Sequence, residues 1–214
     1  MKRLITLITL LVALSVATVQ ANIITLNQGP YSYGQGGEFT AQTSDDGTFQ
    51  TFCIETAVEF TPGHQYSYEF ASTDSQGRYV ALGTAYLYSQ FITGQLSGYD
   101  YTSGPNHQKD AGALQQAIWY IQGGQTFNGV TPTILNNTYY ADAFNKFGAD
   151  DLISPNSIYN VEVLRMLDAN GNPAQDQLAT ASIPEINTWV AASMMMLPLG
   201  LSIFRRRYPH INVL

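Results

Sequence analysis

Cysteine is almost absent from this chain of 214 residues, which contains a single one, Cys53. A lone cysteine cannot form an internal disulfide, so the fold must hold together without the cross-links that stabilise many exported domains. Four roles stay open for it on this ground alone: an inert buried thiol, an intermolecular bridge, a nucleophile, or a partner in another kind of covalent bond.

Basic residues are also scarce in the body of the chain, between residues 22 and 182. The basic residues in this range are Arg78, Lys109, Lys146 and Arg165. Acidic residues greatly outnumber them. Nucleic acid is excluded as a partner, because binding to its phosphates requires clustered lysine and arginine.

The N-terminus has the pattern of a secretory signal. A Met-Lys-Arg start precedes an apolar run that extends to Val19, and a Val-Gln-Ala sequence with small residues follows. These are the three parts of a signal peptide. We therefore predict a signal peptide over residues 1–21 and a mature chain that begins near Asn22. The alternative is a retained membrane anchor, for which the apolar run is short.

A second uncharged apolar segment lies near the C-terminus. It covers residues 190–204, follows a tryptophan, and is followed directly by Arg205, Arg206 and Arg207. An apolar segment with an aromatic residue at one end and a basic cluster at the other is typical of a transmembrane helix. The alternative is a buried terminal helix of the soluble domain, which the arginine triplet disfavours.

The order of parts at this end resembles a bacterial PEP-CTERM sorting signal. Pro184 and Glu185 precede a polar spacer, the apolar segment and the arginines. The resemblance implies a sorting signal over 183–207 that an exosortase, a membrane processing enzyme, recognises and cleaves. The domain would then reside at the cell surface or in an extracellular matrix. Ile186 stands where the family has a second proline, and a short tail, 208–214, follows; permanent membrane anchoring is the alternative.

Residues 22–182 are expected to form one α+β domain, a β-sandwich or barrel with a helical insertion between strands. Alternating apolar and polar residues predict the strands, and apolar residues at helical spacing predict the helices. The predicted strands include 49–55, read as an interior strand, and 158–166 and 175–182 near the end. The predicted helices are 78–91, 110–121 with Asp110 as its N-cap, and 138–147.

The turn between the last two predicted strands contains Asp168, Asn170 and Asn172 at the spacing of calcium ligands. The glutamate that completes such a loop twelve positions in is absent. We therefore predict a plain hairpin, without metal or cofactor, and keep a calcium loop as the alternative.

Two short motifs contain side chains that are capable of a chemical reaction. Phe-Cys-Ile-Glu occupies 52–55 on a predicted strand, and Leu-Gln-Gln-Ala-Ile-Trp occupies 114–119 on a predicted helix. Together and in this order they resemble the paired motifs of bacterial thioester domains, over most of 22–182. The resemblance implies an internal thioester between the side chains of Cys53 and Gln115. The residues in supporting positions are Phe52, Leu114 and Trp119, and Gln116 is a spacer.

The chemistry suits these residue types. A cysteine thiolate can attack the carboxamide of Gln115 and expel ammonia. An amine, such as a lysine side chain of a partner, can then attack the acyl carbon, release Cys53 as a thiol and become amide-linked to Gln115. The protein is consumed once, so this is covalent attachment and not enzymatic turnover. Gln115 is expected at the edge of the buried helix face, four residues before Trp119 and within reach of a nucleophile.

Three classes of function stay open. The first is an adhesin-like protein that binds an unknown amine-bearing surface or matrix ligand covalently. The second is a Cys-dependent hydrolase with His64 or His107 as the base, for which no local signature exists. The third is a non-covalent structural or carbohydrate-binding domain. In that case Cys53 is a small core residue, 114–119 is an ordinary amphipathic helix, and sugars stack on Tyr31, Tyr33, Tyr99 and Tyr101.

Overall fold

The computed structural model describes residues 22–34, 36–44, 47–123 and 134–180. Three predicted segments lie outside these residues. They are the signal peptide over 1–21, the tail over 208–214, and the sorting signal over 183–207 with Pro184, Glu185, Arg205, Arg206 and Arg207. None of the helices in the described part of the chain is both long enough and apolar enough to cross a membrane.

The described strands form one antiparallel sheet. They are β1 (Ile23–Tyr33), β2 (Gly36–Thr43), β3 (Gly47–Thr51), β4 (Gln65–Ala71), β5 (Val161–Leu167) and β6 (Gln177–Thr180). The sheet order is β3-β2-β1-β4-β5-β6. Between β4 and β5 lie the helices α1 (Leu82–Ile92), α2 (Pro105–Gly123) and α3 (Thr138–Leu152), with a short 3₁₀ turn at Ile134–Asn136. The predicted α+β class, with strands at both ends and helices between them, is confirmed.

The two outer strands of the sheet meet just beyond the end of β3. The backbone N–H of Leu178 donates to the carbonyl of Phe52 at 3.0 Å, and the Thr51 hydroxyl donates to the carbonyl of Leu178 at 2.6 Å. Cys53 then forms an isolated antiparallel bridge with Gln177. The sheet therefore nearly closes on itself, and the segment that carries the cysteine has a neighbour on each side.

The cysteine segment alternates between two buried clusters, as the sequence predicts. Phe52 and Ile54 belong to the cluster formed with the three helices, whereas Cys53 belongs to the cluster on the other side of the sheet. The predicted strand 49–55 is too long, since β3 ends at Thr51 and only the bridge at Cys53 continues the pairing.

Helix α2 begins earlier than predicted, at Pro105. Proline is favoured in the first helical turn because the N–H groups of that turn have no partner within the helix, so the N–H that proline lacks is not needed. The prediction that Asp110 is the N-cap is therefore wrong: Asp110 lies inside the helix, and its Oδ2 accepts a hydrogen bond from the backbone N–H of Asp100 at 2.9 Å.

Helix α1 begins later than predicted, at Leu82 and not at residue 78. The carboxylate of Asp74 accepts hydrogen bonds from the backbone N–H groups of Gln76 and Arg78, which fixes a turn there. Tyr79 then pairs with Thr73 in an extended bridge, so the helix cannot start before this point.

The predicted hairpin near the end of the domain is confirmed, since β5 pairs with β6, and both strands begin later than expected, at Val161 and Gln177. In the turn, Asp168 Oδ1 accepts from the N–H groups of Asn170 and Asn172, each at 2.8 Å. These bonds with Asn172 and Asn170 lower the pKa of Asp168. Gly171 adopts φ +81, which suits glycine. Among the described residues, no group of three or more His, Cys, Asp or Glu side chains could hold a metal ion.

Helix α3 starts at a side-chain cap that also binds it to α2. Asn137 Oδ1 accepts from the N–H groups of Tyr139 and Tyr140, both at 3.0 Å, and its Nδ2 donates to the carbonyl of Ala113 at 2.7 Å. The helix is predicted to end at 147, and Gly148, with φ +74, interrupts it there before it continues to Leu152.

We expect Asn137→Ala to lower the free energy of unfolding by about 1–2 kcal/mol, because it removes the cap and leaves the Ala113 carbonyl without this donor. Urea unfolding of the domain measures the change. The matched control is Asn136→Ala, at the exposed neighbouring position, which should stay within about 0.5 kcal/mol of wild type. Equal stabilities of the two variants would contradict the assignment of the cap.

Candidate functional site

The structure brings the two predicted thioester partners together. Cys53 follows β3 and is fully buried, at 0% exposure, while Gln115 lies on α2 at 1% exposure. The thiol of Cys53 donates to Gln115 Oε1 at 3.3 Å. Gln115 is thus more deeply buried than the edge position expected from helix spacing, because β2 also packs over it.

The carboxamide of Gln115 is docked on the backbone of the cysteine itself. Its Oε1 accepts from the backbone N–H of Cys53 at 3.2 Å, and its Nε2 donates to the carbonyl of Cys53 at 2.7 Å. The amide carbon is bonded to Oε1 at about 1.23 Å, so it lies at most about 4.5 Å from the sulfur. The sulfur and the carbon that it would attack are therefore close neighbours.

Two backbone donors converge on the carbonyl oxygen of Gln115. The second is the N–H of Gly37, at 3.2 Å, alongside that of Cys53. A nucleophile that attacks the amide carbon places negative charge on this oxygen. Two fixed N–H donors aimed at it form the arrangement that stabilises such an oxyanion.

Gly36 and Gly37 are site residues that the sequence analysis did not identify. A Cβ on Gly36 would lie 2.5 Å from Trp119 Cη2 and 2.7 Å from Gln115 Cγ. Gly37 has φ +103, and a Cβ there would lie 2.6 Å from the backbone nitrogen of Tyr33. The signal in the sequence is the cluster of glycines at 34, 36 and 37, a composition that by itself is typical of a turn.

Trp119 packs against the reactive pair and is itself almost fully buried. Burial raises the pKa of the Cys53 thiol far above its usual range, and the neighbouring Trp119 side chain acts in the opposite direction. The site therefore disfavours a free thiolate.

The other two supporting residues hold the backbone and do not touch the sulfur. Phe52 points to the opposite side of the sheet from Cys53 and packs edge-on against Phe91, with ring centroids 5.0 Å apart. Leu114 is fully buried in the same cluster between sheet and helices. Their burial fixes the strand and the helix from which Cys53 and Gln115 project.

Glu55, the last residue of the cysteine motif, lies in a buried carboxylate cluster. Glu55 Oε1 accepts from the hydroxyl of Ser75 at 2.7 Å, and its Oε2 accepts from the N–H of Asp176 at 3.1 Å. The carboxylate of Asp176 accepts from the N–H groups of Ser75 and Met166. These bonds fasten the segment after Cys53 to the segment before β6.

Burial and, to a lesser extent, the charge of Glu55 raise the pKa of Asp176 to about 6. Asp74 also raises it, and Arg78 binds Asp74 at 2.7 Å. The cluster therefore carries more negative than positive charge.

Neither histidine proposed as a hydrolase base is hydrogen-bonded to Cys53. His64 is exposed in the loop before β4. His107 is buried on α2, where its Nε2 lies 2.6 Å from Glu38 Oε2 and its ring stacks on Tyr31 at 3.6 Å. The sulfur is hydrogen-bonded to Gln115, so the geometry gives no support to a Cys–His pair.

The tyrosines proposed as a sugar-stacking surface are not equivalent. Tyr99 is buried and donates to Glu38, and Tyr31 is covered in part by His107. Tyr33 and Tyr101 are exposed. The four rings therefore do not form one open platform.

Comparison with known proteins gives no family for this chain: no protein-family model, no curated protein and no solved structure matches it.

We expect Gly36→Ala to lower the free energy of unfolding by about 1–3 kcal/mol, because the added methyl group overlaps Trp119 and Gln115. Chemical denaturation measures the loss. The control is Gly47→Ala, where a Cβ meets no atom within 4 Å and only the positive φ of +79 is strained; this should cost about 1 kcal/mol. A Gly36→Ala protein as stable as wild type would show that the glycine is not needed for this contact.

The raised pKa of Asp176 predicts a stability that depends on pH. The folded protein holds this proton up to about pH 6, whereas the unfolded chain releases it near 3.8. The free energy of unfolding therefore receives a contribution that is fully present at low pH and is lost as the pH rises through about 6. Asp176→Asn should flatten this decline between about pH 4 and 6, measured by urea unfolding at each pH.

The control for this prediction is Asp150→Asn, a change at an exposed carboxylate on α3. It should leave the decline as steep as in wild type. A decline equally steep in Asp176→Asn would assign it to the other carboxylates of the cluster.

Proposed function

We propose that this protein is an exported surface or matrix protein that attaches covalently to a partner amine through an internal thioester between Cys53 and Gln115. The observation that carries the proposal is the docking of the Gln115 carboxamide on Cys53, with two backbone N–H groups on its oxygen. A core cysteine beside a helix requires no such arrangement.

Formation of the bond is a balanced acyl transfer. The Cys53 sulfur attacks the amide carbon of Gln115, the N–H groups of Cys53 and Gly37 hold the oxygen while it carries charge, and the C–N bond breaks. The thiol proton passes to the leaving nitrogen, which departs as ammonia. The product is an uncharged acyl–sulfur bond, which suits a fully buried site better than a thiolate does.

In the reaction with a partner, the sulfur is the leaving group and no longer the nucleophile. An amine attacks the same carbon, the C–S bond breaks, Cys53 takes up a proton as a thiol, and Gln115 becomes a secondary amide joined to the partner. The neighbouring Trp119 side chain favours the charge that develops on the departing sulfur, since its effect on the thiol pKa is a lowering one. The protein is used once, so the proposal is attachment and not catalysis.

The composition of the domain favours a bond that survives until a partner arrives. Lys109 and Lys146 are the lysines of the body, and the ammonium group of Lys146 lies 4.9 Å from the centroid of the Tyr86 ring.

The ends of the chain supply the location in this proposal. A signal peptide directs export, and a PEP-CTERM-type tail with its transmembrane helix delivers the domain to an exosortase at the membrane.

Intact mass measurement tests the thioester. Wild-type domain should weigh about 17 Da less than its sequence requires, the mass of one ammonia, and methylamine should add about 31 Da. Cys53→Ala and Gln115→Ala should each restore the full sequence mass and abolish the adduct. Gln116→Ala, the matched change at the next position of α2, should keep both the deficit and the adduct.

A wild-type domain of full sequence mass, with a thiol that titrates on unfolding, would contradict the proposal. A deficit that persists in Gln115→Ala would assign the bond to another residue.

A further inference from the structure

A cleft of about 190 Å³ is lined in part by Trp119. We call it the access cleft, and its lining also includes Gly34, Phe39, Val58, Glu59 and Phe60. It lies between the end of the β1–β2 hairpin and the segment that leads from Cys53 to β4. The chain thus forms a cavity next to the reactive pair.

Trp119 separates the access cleft from the sulfur. The same side chain lines the cleft and belongs to the buried cluster that contains Cys53. Because Cys53 and Gln115 are 0% and 1% exposed, no nucleophile reaches the acyl carbon in this conformation. A displacement of the indole toward the cleft, or a rotation within it, would connect the cleft to the site.

The lining of the access cleft suits an aliphatic chain with a positive end. Phe39 and Phe60 pack edge to face at 5.0 Å and, with Val58, provide apolar walls. Glu59 is the charged residue of the lining, and no lysine, arginine or histidine lines the cleft in the described part of the chain. A lysine side chain combines an apolar stem with an ammonium group, so it matches both parts of this surface.

The negative charge continues beyond the access cleft. A second cleft, of about 440 Å³, shares Glu59 and Phe60 with it and adds the carboxylate of Asp168 and the imidazole of His64. Glu59 stands where the two meet, at an exposed position. A cationic segment that approaches along the second cleft therefore meets Glu59 before it reaches Trp119.

We propose that the access cleft admits the partner's lysine side chain to the thioester, with Glu59 attracting its ammonium group and Trp119 moving aside as the wall. This proposal rests on the proposed function above. The ammonium loses one proton to solvent beside Glu59 and becomes the free amine. The amine attacks the Gln115 acyl carbon, the C–S bond breaks, and the sulfur takes up the proton that the attacking nitrogen loses.

The test compares two nucleophiles on the intact domain by following adduct formation in intact mass spectra. Nα-acetyl-lysine amide carries the cationic aliphatic side chain, and hydroxylamine is a small nucleophile that is uncharged at neutral pH. Val58→Trp fills the access cleft, and its matched control, Ser157→Trp, adds the same residue to a different cleft. Val58→Trp should slow addition of the lysine derivative at least about tenfold, because it blocks the proposed route to the bond. Ser157→Trp should react at the wild-type rate.

The second pair of variants tests the charge and does not disturb the packing. Glu59→Gln should slow the lysine derivative about two- to fivefold, the size expected for an exposed charge pair, and this difference should shrink at high salt. Hydroxylamine should react with Glu59→Gln at the wild-type rate. Glu162→Gln, the same change in the other cleft, should alter neither rate.

Each outcome decides between the two proposals. A Val58→Trp domain that keeps the mass deficit and reacts as fast as wild type would overturn the access cleft but leave the thioester intact. If Val58→Trp loses the deficit, Glu59→Gln decides the question. A ratio of the lysine-derivative rate to the hydroxylamine rate that is the same in Glu59→Gln as in wild type overturns the proposal. A wild-type domain without the deficit would overturn the proposed function and this inference together.

Discussion

The arrangement of this domain depends on one buried carboxamide. The side chain of Gln115 makes hydrogen bonds to the backbone and thiol of Cys53 and to the backbone of Gly37. Through them α2 is joined to β2 and to the seam where β3 meets β6. A buried amide without partners is costly, so a fold that places glutamine at this position must also supply these groups. The same side chain therefore helps to position helix, hairpin and seam relative to one another.

The neighbourhood of this amide shows how the position is maintained. Glu38 directly follows Gly37 and binds His107, two turns before Gln115 on α2, so β2 and α2 are joined at two points. On the other side, the Glu55 carboxylate accepts from the backbone N–H of Asp176 and so fastens the chain after Cys53 to the chain before β6. Both contacts are polar and buried, and each depends on specific geometry, which favours one arrangement of the site over several similar ones.

Sequence patterns predict the parts of this site that depend on local periodicity. Alternation along 49–55 separates Phe52 from Cys53, and helical spacing places Leu114 in the core, because both patterns follow from backbone geometry. The extra burial of Gln115 and the role of Gly37 depend on a contact between residues 78 positions apart. No local pattern contains that information. The N-cap assigned to Asp110 failed for a local reason, because Pro105 already provides a start for the helix.

A stored acyl–sulfur bond imposes two opposing requirements on the protein. It must be kept from water, which would hydrolyse it, and it must be reachable by one kind of nucleophile. Complete burial of Cys53 and Gln115 meets the first requirement. The second then requires a part of the enclosure that moves at small cost. Trp119 suits this role because it lines the access cleft, whereas Leu114 is fully buried in the core. In the proposed mechanism a single tryptophan both protects the bond and sets which molecules reach it.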